Sequence, residues 1–152
     1  MFDLEEELRR LRDALRAGNV DYALCGGLAL GIHGHPRATI DIDLLIQPDD
    51  YPHVEAIGAA LGFSIKARPM SFSRGATEIR RISKIDPADG EVLILDLLLV
   101  TTAIRDVWVS RERVMWKDAE LYVVSREGLV ALKLLRSSDQ DLVDIKKLRN
   151  EA

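Results

Sequence analysis

Leu4, Leu8, Leu11 and Leu15 recur at helical spacing, and Gly18-Asn19 follows as a stop, so the pattern predicts a first helix with one apolar face. "YALC" at 22–25 reads as a short buried strand. Residues from about Gly27 to Gly34 suit a short helix that Pro36 breaks. "TIDIDLLI" (39–46) is rich in β-branched and apolar residues and reads as a strand. Asp49 or Asp50 caps a following helix that carries Pro52 in its first turn, turns Val54, Ile57 and Leu61 inward and stops at Gly62. "FSIKA" (63–67) and "IRRISKI" (79–85) have strand character, and "PADG" turns the chain into the apolar strand "EVLILDLLLV" (91–100). Residues 113–124 suit a hairpin or a short strand. Ser125 caps a helix through Leu135, and a last helix follows Ser138 and ends near Arg149. Helices and strands alternate irregularly, which predicts a mixed α/β (α+β) fold: a central sheet with helices packed against it.

With 152 residues the chain is expected to form a single domain, 1–152, with a real core. Apolar residues make up 47% and charged residues 30%, an ordinary soluble composition. The net charge of −4 argues against a general electrostatic trap for nucleic acid. One cysteine excludes an internal disulfide and fits a reducing compartment. The start "MFDLEEELRR" is acidic and amphipathic, unlike a signal peptide, and no apolar run is long enough to span a bilayer. A cytoplasmic location with no membrane partner is expected.

The aspartates of "TIDIDLLI" break this bland picture. Residues two apart in a strand point to one side, so Asp41 and Asp43 face together, while Ile40, Ile42 and Leu44 should face a core. Two neighbouring carboxylates repel, and a divalent cation relieves the repulsion. Mg²⁺ takes hard oxygen ligands and keeps open positions for phosphates. Asp96 interrupts "LILDLLLV" and, if that strand lies alongside, adds a third carboxylate to the same face. Three carboxylates can hold two Mg²⁺ ions in phosphoryl or nucleotidyl transfer. Upstream, Gly26-Gly27 stands between a strand and a short helix, where glycine lets backbone approach an anion closely. Neither a G-x-G-x-x-G fingerprint nor a G-K-[ST] phosphate loop is present.

The combination of Cys25-Gly26-Gly27, thirteen residues, then Asp41-Ile42-Asp43-Leu44, with a later strand aspartate, resembles the nucleotidyltransferase superfamily that includes DNA polymerase β. "GGLAL", "PRATIDIDLLI", Ala131-Leu132-Lys133-Leu134 and Asp141-Leu142-Val143-Asp144-Ile145 are most similar to stand-alone bacterial nucleotidyltransferases of the abortive-infection and toxin–antitoxin type, over Tyr22 to Leu148. The resemblance implies a small mixed sheet flanked by helices, a helical C-terminus and an active site at one sheet edge. It implies that Asp41, Asp43 and Asp96 bind two Mg²⁺ ions (Mn²⁺ as a substitute) and that Asp96 helps activate the attacking hydroxyl. It assigns the phosphates of a nucleoside triphosphate such as ATP to Gly26 and Gly27, and suggests phosphate contact for Lys133. The implied acceptor is a hydroxyl on RNA or protein, with a cognate toxin or antitoxin as a further partner. A non-catalytic antitoxin or partner-binding module on the same fold is the alternative. Many relatives carry Gly-Ser where this chain has Gly26-Gly27, so phosphate binding would rest on backbone N–H groups and Arg37.

Other residues carry two readings. Arg37 suits a phosphate, or an ion pair with Asp41 or Asp43 when no metal is bound. Thr39 shares a side with Asp41. His33 and His35 lack a third metal ligand nearby and read as a solvated loop. Cys25 reads as a small buried side chain rather than a nucleophile. Lys133 reads equally as a phosphate ligand or as a lysine snorkelling to the surface. Asp141 completes a cap with Ser138, and Asp144 reads as a helix-surface charge. Six basic residues between Lys66 and Lys84 face one acid, Glu78, and suit either steering of an anionic substrate or a solvated surface. Trp108 and Trp116 read as core or interface residues.

Overall fold

The computed structural model describes residues 1–136 and 139–150, so the cap expected at Ser138 lies outside the described residues. Helix α1 (Leu4–Ala17) starts at Asp3, whose carboxylate accepts the Glu6 N–H at 3.2 Å, and buries Leu8, Leu11 and Leu15. Strand β1 (Tyr22–Cys25) is buried throughout and runs directly into the seven-residue helix α2 (Gly26–Ile32). Strand β2 (Asp41–Ile46) begins two residues later than the apolar pattern indicates. Ile40 therefore lies ahead of the strand and is 73% exposed, a correction to its expected place in the core. A single turn at 48–50 leads into α3 (Tyr51–Ala60); Asp50 stands at its start, but its side chain makes no capping hydrogen bond.

Strands β3 (Ile65–Lys66), β4 (Met70–Phe72), β5 (Thr77–Ile85) and β6 (Val92–Leu99) follow. Then come α4 (Arg105–Val109), the hairpin β7 (Glu112–Trp116) and β8 (Ala119–Val123), and the helices α5 (Arg126–Arg136) and α6 (Asp139–Arg149). Ser125 opens α5 as expected, accepting the Gly128 N–H at 3.0 Å through its hydroxyl. The sequence pattern misses β4 and α4, which span only three and five residues. No helix among the described residues is long and apolar enough to cross a membrane.

The strands form one mixed sheet in the order β3-β5-β6-β2-β1-β8-β7, with β4 also paired to β5. β2 lies parallel to β6 and antiparallel to β1, and β5 lies antiparallel to β6. The two acid-bearing strands therefore occupy the middle of the sheet, not the edge that the resemblance implies. The pleat separates two faces. Ile42, Leu44, Leu95, Leu97 and Ile82 point to one face and are essentially inaccessible. There Gly58 of α3 rests against Ile82: a Cβ on Gly58 would stand 2.6 Å from the Ile82 Cδ1. Each of these side chains contributes roughly 1.5–3 kcal/mol on burial, enough to offset the cost of crowding acids on the opposite face.

Candidate active site

Parallel pairing of β2 with β6 sets Asp43 directly beside Asp96, with Asp41 two residues along the same face. Asp41, Asp43 and Asp96 each present a carboxylate oxygen, and these oxygens lie within 4.8 Å of one another. Asp96 is 5% exposed and its strand neighbours Leu95 and Leu97 are inaccessible. The backbone thus holds three acids together, although like charges so close repel. Burial, then the charges of Asp41 and Asp96, push the Asp43 carboxyl up to about 7 from an ordinary 3.8. Such a set, made only of hard oxygens, has the donor chemistry that a Mg²⁺-type ion requires.

Asp43 is flanked on its other side by Cys25 of β1. Cys25 is buried, and burial, followed by the Asp43 charge, raises its thiol well above the ordinary range. That fits a packing role and not a thiolate nucleophile. The next residue, Gly26, has φ +68°, and a Cβ there would stand 2.0 Å from Asp43 Oδ2. Only glycine satisfies both constraints. Gly27 lies against Thr39 and Arg37, with an added Cβ at 3.1 Å from Thr39 Oγ1 and 3.5 Å from the Arg37 guanidinium carbon. The double glycine, the loop before β2 and the acids therefore converge.

The cations are arranged differently from expectation. Arg37 pairs with neither Asp41 nor Asp43; its Nη2 donates to Asp144 at 3.3 Å. Lys133 does not snorkel: it is 4% exposed and donates to Asp144 at 2.9 Å. Asp144 is no surface charge: it is fully buried, as is Asp141, whose expected cap with Ser138 lies outside the described residues. Burial alone would raise Asp144, but hydrogen bonds from Lys133 and Gln140 and the charges of Lys133 and Arg37 hold it below its ordinary value. Asp141 accepts two bonds from Arg136, at 2.7 and 2.6 Å. Helix α6 is thus a rack of acids that hold Lys133 and Arg136 on α5 and reach Arg37 across the site.

Two residues escape the sequence reading. Arg81 stands opposite Asp96 across β5 and β6 and donates to both its oxygens, at 2.8 and 3.0 Å. The run of basic residues hides it, and only strand register singles it out. Within that run Lys66 pairs with Glu55, and Lys84 pairs with Glu7 at 2.6 Å and donates to the Leu61 carbonyl, so those charges secure the fold. Arg136 is the second, placed beside Lys133 on the wall of a cavity of about 310 Å³ that also reaches Asp43 and Asp96.

His33 is not a loop residue open to solvent; its Nε2 lies 2.8 Å from the Val124 carbonyl and its own carbonyl accepts from Arg126. Trp108 is buried in the core, and Trp116 is stacked by Arg12.

No protein-family model and no curated protein sequence matches the chain. Among solved structures it is similar to TM1012 of Thermotoga maritima, described as a nucleotidyltransferase, at 19% identity and TM-score 0.67, covering all of this chain and 97% of that one. It is similar to the lincosamide antibiotic adenylyltransferase LnuA, lincomycin-bound, at 16% identity and TM-score 0.57, covering 95% and 96% of the two chains. It is also similar to ANT(2'')-Ia in complex with adenylyl-2''-tobramycin, at 14% identity and TM-score 0.61, covering 95% and 86%. The chain has the nucleotidyltransferase fold.

Proposed function

We propose that this fold carries a divalent-metal-dependent nucleotidyltransferase, which moves a nucleoside monophosphate from a nucleoside triphosphate to a hydroxyl acceptor and releases pyrophosphate. The observation that carries the reading is the cluster of Asp41, Asp43 and Asp96, whose oxygens lie within 4.8 Å on adjacent strands. The same three residues would hold the metal, Mg²⁺ by donor chemistry with Mn²⁺ as its substitute, in one site or two. A bound ion would supply neutralisation of phosphate charge and orientation of the reacting oxygens.

The chain's own groups have distinct tasks in this reading. Gly26 and Gly27 bring backbone close to the acids, where phosphate oxygens meet N–H groups. Arg37, beside Gly27, and Lys133, on the cavity wall beside Asp43, supply positive charge to the same phosphates. The acceptor oxygen attacks the α-phosphorus, the bond to the bridging oxygen of pyrophosphate breaks, and Asp96 receives the hydroxyl proton. Arg81 occupies two of the roughly four lone-pair positions of that carboxylate, which leaves capacity for the proton. The likeness to adenylyltransferase structures supports the reaction class. The resemblance to abortive-infection and toxin–antitoxin enzymes is what supports an RNA or protein acceptor, a cognate toxin or antitoxin, a cytoplasmic site of action and a single domain over 1–152.

The test is transfer of α-³²P label from each of the four NTPs, with Mg²⁺ or Mn²⁺, by the wild type and Asp43→Ala. Labelled product that requires metal and Asp43 is expected. A melting temperature indifferent to metal and NTP, with no labelled product, would sink the reading. One observation favours a second reading, a non-catalytic partner-binding module: Arg81 donates to both oxygens of Asp96, so a cation of the chain itself already neutralises one acid of the cluster. Co-purification of a stoichiometric protein partner with an inert chain would support it.

A further inference from the structure

A guanidinium has two edges that can grip a planar anion: side-on, through Nε and one terminal nitrogen, and end-on, through both terminal nitrogens. Arg136, in the last turn of α5, commits its side-on edge to Asp141: Nε donates at 2.7 Å and Nη2 at 2.6 Å. Its Nη1 makes no hydrogen bond among the described residues, so the end-on edge is open. The Arg136 side chain is 64% exposed while Asp141 is fully buried, so the acid anchors the guanidinium from inside the fold and leaves the rest of the group accessible. Lys133 lies three residues earlier on the same face of α5, and its Nζ sits 3.8 Å from Asp141 and 2.9 Å from Asp144. Asp141 therefore spaces the two cations as well as holding them.

We infer that Arg136 binds the phosphate chain of the substrate through its open edge, next to Lys133, and that Asp141 is the positioning residue that aims it. Lys133 and Arg136 line the same cavity as Gly26, Asp43 and Asp96. Of these two cations Arg136 acts the more strongly on Asp43, opposing the upward push of burial and of the other acids. The last turn of α5 presents carbonyl groups, which repel an anion, so a phosphate beside it depends on side-chain cations. A free arginine loses much rotamer freedom when it grips an anion; anchoring by Asp141 has removed that freedom in advance. A lysine at 136 would keep the charge, but a single point donor cannot serve a buried acid and a phosphate by two edges. A mere clamp between α5 and α6 needs no open edge on a cavity wall and would be served as well by an apolar pair. The role toward a nucleotide rests on the nucleotidyl-transfer reading; binding of an inorganic polyphosphate by the two cations does not.

The experiment uses the full chain, with inorganic tripolyphosphate and ATP as probes, each titrated by calorimetry in the presence of Mg²⁺. The variants are Arg136→Gln, Arg136→Lys, Asp141→Asn and the double variant Arg136→Gln with Asp141→Asn; circular dichroism and Tm verify folding. Arg136→Gln is expected to weaken both probes about tenfold or more, and Arg136→Lys to recover only part of that loss. Asp141→Asn should weaken both by itself, yet by less than about twofold in the Arg136→Gln background, because its effect passes through Arg136. If Arg136→Gln fails to fold, Arg136→Lys, which keeps a cation beside the buried acid, carries the comparison. A lowered Tm with both affinities within about twofold of the wild type is the signature of a clamp and overturns the inference. Asp141→Asn that weakens binding equally with and without Arg136 overturns the positioning role. ATP binding that needs Asp43 but not Arg136 overturns the inference and leaves the transferase reading standing. Tripolyphosphate bound through Arg136, with no binding of ATP, overturns the transferase reading and leaves a polyphosphate site. Failure of both probes to bind the wild type overturns both.

Discussion

Replacing Gly26 with alanine tests whether the glycine turn and the acids form one structural unit. The backbone at φ +68° disfavours any L side chain by roughly 1–2 kcal/mol. The new methyl would stand 2.0 Å from Asp43 Oδ2, 2.7 Å from its Cγ and 3.0 Å from its Cβ, all inside ordinary contact at 3.4 Å. Rotating the Asp43 side chain relieves the first two overlaps and leaves the third, so a further 1–3 kcal/mol, about the usual magnitude for overpacking, is expected. The sum, roughly 2–5 kcal/mol, is a large part of the typical 5–15 kcal/mol of a domain but leaves a folded protein. Urea denaturation of the wild type, Gly26→Ala, Asp43→Ala and the double variant measures it. Part of the loss should return in the double variant, as a coupling of about 1–3 kcal/mol, because Asp43→Ala removes the crowded carboxylate. Gly27→Ala, with no positive φ and its nearest contact at 3.1 Å, should lose less than about 1 kcal/mol. Gly26→Ala within about 0.5 kcal/mol of the wild type, or strict additivity in the double variant, would refute the reasoning.

The remaining predictions concern charge. Asp43 has a folded-state carboxyl raised to about 7 from 3.8, so its stabilising contribution is complete below about pH 3.8 and is lost as pH rises through about 7. Relative to Asp43→Asn, the ion-free wild type should therefore weaken across that window, by a ceiling on the order of 4 kcal/mol, and parallel stability curves would contradict it. Mg²⁺ should raise the Tm of the wild type more at pH 8 than at pH 6, since fewer protons are displaced, and an equal shift at both would count against metal binding at Asp43. Asp144→Asn leaves Lys133 buried with its main partner weakened and should cost roughly 3–5 kcal/mol in urea denaturation, whereas Lys133→Met with Asp144→Leu should regain most of it; a single-variant loss under about 1 kcal/mol would show the pair to be well solvated. Arg81→Gln frees both oxygens of Asp96 and removes a competing cation, so Mn²⁺ affinity measured by electron paramagnetic resonance should rise about tenfold, and a fall would mean that Arg81 supports the metal site.

The acids were legible because their signal is local: two aspartates in an apolar strand, and one in another, contradict the environment that their neighbours dictate. Their convergence follows once β2 and β6 pair in parallel with Asp43 beside Asp96. Arg81 was not legible, because six basic residues in the same stretch look alike until register places one of them across from Asp96. The burial of Asp141 and Asp144 was not legible for a related reason. Helix α6 is polar over most of its length, and burial of its acids depends on how α5 lies against it, which no pattern within α6 encodes. Ile40 failed because alternation was extended past the point where the strand begins. β4 and α4 are too short for periodicity to separate them from a loop.

The pairing of Asp43 with Asp96 also governs when the site comes into being during synthesis. The nascent chain carries Asp41 and Asp43 early, but their third companion arrives only after α3 and the β3–β5 strands have been made, and β6 must then insert between β5 and β2. Contacts of such long sequence separation form late and slowly. A polypeptide halted before Leu93 would hold the first half of the acid cluster with no partner strand at its side. Unfinished copies of this protein are therefore expected to lack the complete acid cluster, which assembles only once the ribosome has delivered β6.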